Sequence, residues 1–375
     1  MARLDRLGAS KDIALVASVI GRSFPYDLLA SIVGVEEAKL RLALGALRQA
    51  GLFVPASEGP DETYSFNHSL VQEAAYESVS RSRRQALHLQ IARILESQEG
   101  QAANAPELIA FHFSRGGEPD ASCKFWVLAS ERAVRRSSFL EAIANLNAAL
   151  AEAERIPDHP QRAGRLLDVR LRLGATFIIQ AGPLSADAES ALKEAYALAK
   201  EIGAQRQLFQ ATWGLYINKA NSRQFEQARA FGDELMDISG RLGDDDLQVE
   251  GLHHRWGYWY FIGRNQKMLQ YARAGLSRYD PERHHRLAQV YAGHDLGVCA
   301  HCVEAMALGL AGQRHAVSAS VDAAVALADS LQHPTSLAFA LGAGSVALHL
   351  AGEIDACGNM ARQEIKVVDK CGGQV

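Results

Sequence analysis

The sequence predicts a mostly α protein in two unequal parts, and three observations carry that prediction. Apolar residues recur at i, i+3 and i+4 spacing along most of the chain. Only the first hundred residues interrupt this habit, with two short strand-like runs that follow three helices. Beyond them the chain is Ala-rich, and large and small residues return at offsets that suit paired, stacked helices.

In the first part, Ile13, Val16, Ala17 and Ile20 mark a helix with Ser10 as its expected N-cap and Gly21 as its stop. A short helix follows over about Tyr26 to Val33. A third runs from about Glu36 to Ala50, where Leu40, Leu44 and Leu47 share one face and Gly51 ends it. Leu52 to Val54 and Tyr64 to Phe66 read as strands across a turn-rich spacer of Pro55, Ser57, Gly59, Pro60 and Asp61. Three helices followed by a two-stranded wing make a winged-helix-like domain, continued by helices over Ser69 to Val79 and Arg84 to Ser97. Residues 1–100 are assigned to this domain, and residues 101–119 to a linker and connecting helix.

Residues 120–375 read as helix pairs. Trp126, Ser130, Ala142, Leu146 and Ala149 fall at offsets 0, 4, 16, 20 and 23, the large–small–small spacing of tetratricopeptide-type repeats. Leu252, Trp256, Tyr260, Gly263 and Ala272, with Pro281 as terminator, repeat the plan, as do His301, Ala305, Leu308, Gly312, Val321, Ala324 and Pro334. Leu341, Ser345, Leu348 and Gly352 open another, and pairs around Leu166 to Ile202 and Leu208 to Leu242 fit less cleanly. The inter-helix glycines Gly263, Gly312 and Gly352 stand 49 and 40 residues apart, so elongated, degenerate repeats are expected. Six pairs, wound as a right-handed α-solenoid, fill the segment.

Composition narrows the function. With 39 Lys plus Arg against 43 Asp plus Glu the net charge is −4, and with 48% hydrophobic and 22% charged residues the chain is an ordinary globular sequence. No apolar run reaches the ~18 to 20 residues of a membrane span and no signal-peptide core follows Met1, so a cytoplasmic protein is expected. Five scattered cysteines suit a reducing compartment. No lysine follows a glycine, which removes the P-loop, and the Rossmann, HExxH, GxSxG and EF-hand signatures are missing too. The expectation is therefore a non-enzymatic chain with no catalytic residues, cofactor or metal.

Several runs resemble the C-terminal region of bacterial multidomain signalling proteins that join a class III nucleotide cyclase, a STAND-type predicted ATPase and tetratricopeptide-like repeats. The likeness is densest at Tyr64-Ser-Phe-Asn-His-Ser-Leu-Val-Gln-Glu-Ala-Ala-Tyr76. It extends from Ala2 to Gly8 through Val19 to Arg22, Tyr26 to Leu29, Arg81 to Arg84, Leu87 and His88, Pro106 to Leu108, Trp213 to Leu215, Tyr279 to Pro281 and Gly293 to Val298. In such proteins the cyclase and P-loop modules precede the point where this chain has Met1. The resemblance therefore implies a regulatory, protein-interacting sensor arm, with a protein or peptide ligand on the superhelix and a P-loop ATPase or cyclase module as partner in trans.

It also singles out His68, which follows the second strand at a helix start. In STAND ATPases a winged-helix histidine in a comparable place contacts the phosphate of bound ADP, so His68 becomes the candidate nucleotide sensor; the residues alone leave a capping or buried hydrogen-bonded histidine open.

Other candidates come from the residues themselves. Arg81, Arg83 and Arg84 form a basic cluster with His88, and Lys39, Arg41 and Arg48 decorate the helix that would enter a DNA groove. The first hundred residues hold 11 Lys plus Arg against 12 Asp plus Glu, so a solvated face or a contact with an ATPase module is preferred. Nucleic acid is not an expected partner, and a winged-helix DNA-binding regulator is the alternative function. Cys299-Ala-His-Cys302, with His294 and His301 nearby, has half a zinc-site spacing, but within a helical repeat it reads as two packed cysteines. In the aromatic run 253–261, Leu252, Trp256 and Trp259 are core, while His253, Gly257 and Phe261 share a face that either binds a peptide or packs between repeats. An uncapped final pair at Gly372 to Val375 suggests an open edge and a homodimer.

Overall fold

The computed structural model describes residues 8–57, 59, 62–98, 104–157, 159–291 and 293–370. The expectations placed on residues 2–7, Pro60, Asp61, most of the 98–106 linker and the 372–375 edge lie outside the described residues. Among those described, nineteen α-helices and one three-stranded sheet make the protein mostly α. They form two compact units: residues 1–132 with 144–162, and residues 133–143 with 163–375.

The first unit opens with α1 (Ala9–Ile20), β1 (Ser23–Pro25), α2 (Tyr26–Val33), α3 (Glu37–Gln49), β2 (Phe53–Ser57) and β3 (Thr63–Phe66). The strands are antiparallel in the order β1-β3-β2, with Phe24 opposite Tyr64 and Phe53 opposite Phe66. Phe24, Phe53 and Phe66 are fully buried and meet edge to face, 4.7 to 6.1 Å between centroids. The sequence reading has no β1, because three residues ending in a proline that leads straight into a helix leave no alternation to detect. It also places the first N-cap at Ser10, whereas α1 starts at Ala9 with Gly8 in the cap position and Ser10 is buried inside the helix. Leu40, Leu44 and Leu47 of α3 are core as expected, and Gly51 ends that helix at φ +67°, a left-handed conformation that side chains with a Cβ rarely adopt. Helices α4 (Ser69–Ser78), α5 (Arg81–Ser97) and α6 (Pro106–Gly116) complete this core, so the unit runs well past residue 100.

Next come α7 (Pro119–Arg135) and α8 (Phe139–Glu154), whose residues are divided between the units, then α9 (His159–Ala181) and α10 (Ala186–Ile202), α11 (Gln205–Asn221) and α12 (Phe225–Leu242), α13 (Asp245–Phe261) and α14 (Asn265–Leu276). A short helix α15 (Pro281–His284) and a 3₁₀ turn (His285–Gln289) precede α16 (Leu296–Leu310), α17 (Arg314–Ser330), α18 (Pro334–Ala351) and α19 (Ile354–Lys370). These are the six expected pairs with elongated helices. Within the second unit, α10 to α14 and α16 to α19 each pack on the next helix in sequence, and α16 also packs on α14 and α18. Trp256 shows the large-into-small logic: fully buried, it fills the space over Gly275 of α14, where a Cβ would strike its ring.

The α15 insertion had no sequence signal beyond Pro281. Buried Asp246 of α13 anchors it by accepting hydrogen bonds from Arg283 Nε at 2.7 Å and Arg286 at 2.6 Å. Against the expectation that no segment meets the criterion, the 18-residue α18 is long and apolar enough for a membrane span. Its Ala, Gly and Leu residues serve packing against α16, α17 and α19.

Candidate functional site

The most unusual chemistry lies inside the second unit, where α13 meets the start of α16. That start is fixed by Asp295, a fully buried N-cap whose carboxylate accepts from the N–H groups of Gly297 at 2.8 Å and Val298 at 3.1 Å. Tyr279 Oη donates to the same carboxylate at 2.9 Å, and the Asp295 N–H donates to Ser336 Oγ. The cap places Cys299 in the first turn of α16 and His294 just ahead of it, its ring stacked on Phe339 at 4.0 Å.

From α13, His253 faces the same point. Its ring stacks on Trp256 at 5.0 Å, and Nδ1 is 3.0 Å from the Glu250 carboxylate one turn earlier. The ligating atoms of His253, His294 and Cys299 lie within 4.8 Å of one another, and both imidazoles favour the Cys299 thiolate. Glu250, His253 and Cys299 are all buried. Burial disfavours the His253 imidazolium, but the adjoining Cys299 and Glu250 override it and raise His253. Burial likewise opposes the Cys299 thiolate, and the two imidazoles overcome that and lower it. The result favours imidazolium beside thiolate.

Cys302 does not share this environment. It packs with Val298, Ala324, Ala328 and Ala340 on another side of α16, where burial pushes its thiol up. The two cysteines are packed, as expected, but not against each other's neighbours. His301 is half-buried 3.9 Å from Glu304 and belongs to neither group. Beside the cluster, Trp213, 5.8 Å from the His253 ring, lines a cavity of about 20 Å³ with Tyr291, Gly293 and Leu192. Its volume would admit about one water.

The candidates His253, Gly257 and Phe261 do not form one exposed face. His253 is interior; Gly257 is half-buried over Tyr216; Phe261 is half-buried against the same core. The open aromatic of this run is Tyr260, 45% exposed. In the first unit, His68 is exposed at the N-cap position of α4, and its side chain makes no capping hydrogen bond. The basic cluster divides: Arg83 turns to Asp12 at 3.3 Å, Arg84 pairs with Glu77 at 2.9 Å and lies over the Tyr76 ring, and Arg81 is exposed.

No protein-family profile matches the chain. An uncharacterized protein of Rhizobium meliloti (strain 1021) is 26% identical over 349 residues, 92% of this chain and 34% of that protein. The chain thus spans about a third of that relative's length. Among solved structures, aspartyl phosphate phosphatase F from Bacillus subtilis is similar with a TM-score of 0.53 at 10% identity, covering 96% of this chain and 84% of that one. A Rap protein complexed with competence and sporulation factor gives 0.47 at 12% identity over 79% and 94% of the two chains. A STAND protein with a tetratricopeptide repeat sensor from Pyrococcus horikoshii gives 0.42 at 16% identity over 96% and 56%. At these identities the likeness concerns the fold: a mostly α chain built as a tetratricopeptide-like helical solenoid.

Proposed function

We propose that the chain is a non-enzymatic regulatory and protein-interaction module, the sensor arm of a cytoplasmic signalling ATPase linked to a nucleotide cyclase. The observation that carries this reading is the succession of helix pairs that follows a small helix-and-sheet unit along the chain, the order that the resemblance implies. Stacked pairs present successive helices as one continuous surface, which suits a protein or peptide ligand rather than a small substrate. The winged-helix-like unit would dock on a P-loop module. There the exposed His68, free of any capping bond, donates a hydrogen bond to the nucleotide phosphate. On the superhelix, the rim formed by Gly257, Tyr260 and Phe261 is the proposed contact for the ligand.

The alternative DNA-binding role is disfavoured by how α3 uses its cations. Arg41 is held by Glu37 at 2.9 Å and Glu62 at 3.2 Å and lies over the Tyr26 ring, and Lys39 faces Glu36 at 3.5 Å. Phosphates would have to displace these acids.

Calorimetry tests the reading. The chain alone is expected to bind neither ATP nor ADP. Mixed with the segment of the Rhizobium meliloti relative outside the match, it is expected to form a complex whose ADP affinity falls in His68→Ala. Micromolar ATP binding by the chain alone would overturn the proposal, and tight duplex binding lost in Arg41→Ala with Arg48→Ala would promote the DNA-binding regulator.

A further inference from the structure

We propose that Cys299, His253 and His294 form a binding site for a zinc-type transition-metal ion, with Glu250 orienting His253 from the second layer. The site is independent of the sensor-arm reading. Its donor set, two imidazole nitrogens and one cysteine sulfur, is borderline-soft, which selects Zn²⁺ over Mg²⁺ or Ca²⁺.

Three features of the packing support it. First, the residues arrive from separate places, mid-α13, the segment ahead of α16 and the first turn of α16, yet converge within 4.8 Å inside an apolar core. Polar side chains are costly there unless they satisfy one another or hold an ion. Second, Glu250 occupies Nδ1 of His253, leaving Nε2 as the ligand atom. A carboxylate on the distal nitrogen is the usual means of fixing the tautomer and ring orientation of a metal-bound histidine. Third, Asp295, the nearest acid along the chain, is committed to capping α16 and to Tyr279, so the backbone carrying His294 and Cys299 is held in place.

The dimensions require a modest closure. Around tetrahedral Zn²⁺, with bonds of about 2.1 Å to nitrogen and about 2.3 Å to sulfur, donor atoms stand about 3.5 Å apart. His294 precedes its helix rather than lying within it, so the closure would fall on its side chain, stacked on Phe339, rather than on α13 or α16. Three protein ligands leave a fourth position. The neighbouring cavity beside Trp213, about 20 Å³, has room for about one water.

The test uses the full chain, stripped with a chelator and titrated with Co²⁺ and then Zn²⁺. The wild type is expected to take up one Co²⁺ per chain, with an intense thiolate-to-cobalt charge-transfer absorption that Zn²⁺ bleaches. Cys299→Ser is expected to lose the band, and Cys302→Ser, altered in the separate apolar cluster with Val298, Ala324, Ala328 and Ala340, to keep it. Glu250→Gln is expected to keep the band but bind about tenfold to a hundredfold more weakly. Should Cys299→Ser fail to fold, His294→Asn, outside the helices, replaces it and is expected to lose stoichiometric binding. The proposal is overturned if the wild type shows no stoichiometric band, or if the band survives Cys299→Ser or disappears in Cys302→Ser.

Discussion

The two units each bury histidines, and they resolve the cost of doing so in opposite ways. In the first, His88 of α5 and His112 of α6 meet Nδ1 to Nδ1 at 2.9 Å, and Tyr76 Oη lies 3.1 Å from His88 Nε2. One proton serves the two facing nitrogens, and burial favours the neutral form of both rings. Burial lowers His88 to about 4 and His112 to about 3, with nearby arginines adding to the first. In the second, His253 is also buried but stands between Glu250 and Cys299, which raise it and favour its charged form. Burial alone therefore does not decide protonation. Burial expels the proton from His88 and His112, and at His253 a thiol with a carboxylate outweighs it.

That contrast can be broken most severely at His253. His253→Ala leaves Glu250 buried without its partner, and about 3–5 kcal/mol of stability is expected to be lost from the second unit in denaturant titrations. A loss below about 1 kcal/mol would mean the cluster is uncharged.

Acid sharpens the comparison next. The folded values of His88 and His112 lie below the ordinary 6.5, so between about pH 6.5 and 4 the unfolded chain binds more protons. Their stabilisation is complete above pH 6.5 and falls as pH drops through that window, by on the order of a few kcal/mol. The His253–Cys299 pair keeps one proton between them, as does the unfolded chain between about pH 6.5 and 8.5, so its contribution there is flat. His254, lowered by burial to about 3, adds an acid-sensitive residue to the second unit, which His254→Gln would separate. Urea titrations at stepped pH, read by probes in each unit, check both slopes.

The smallest effect is expected at Arg83. Its ion pair with Asp12 is exposed, so Arg83→Ala is expected to change stability by less than about 1 kcal/mol, with the midpoint in urea as readout.

How much of this was legible in sequence follows from distance along the chain. The six helix pairs and the α3 core face depend on spacing within one or two turns, and Leu40, Leu44, Leu47 and Trp256 announce themselves that way. The cluster does not. His253 lies 41 residues before His294 and 46 before Cys299, and only the stacking of α13 beside α16 joins them. The local Cys-x-x-Cys spacing instead draws attention to Cys302, which faces elsewhere. Reading Asp295 as an N-cap was the available clue, since it fixes which residues of α16 turn toward α13.

Burial keeps His88 and His112 neutral, whereas the Cys299 and Glu250 neighbours outweigh burial at His253. This contrast is tested most directly by imidazole ¹⁵N chemical shifts of histidine-labelled, chelator-treated protein across the pH range. The account predicts His88 and His112 neutral at pH 6 and His253 still doubly protonated at pH 8. A neutral His253 at pH 8, or a charged His88 and His112 at pH 6, would contradict it.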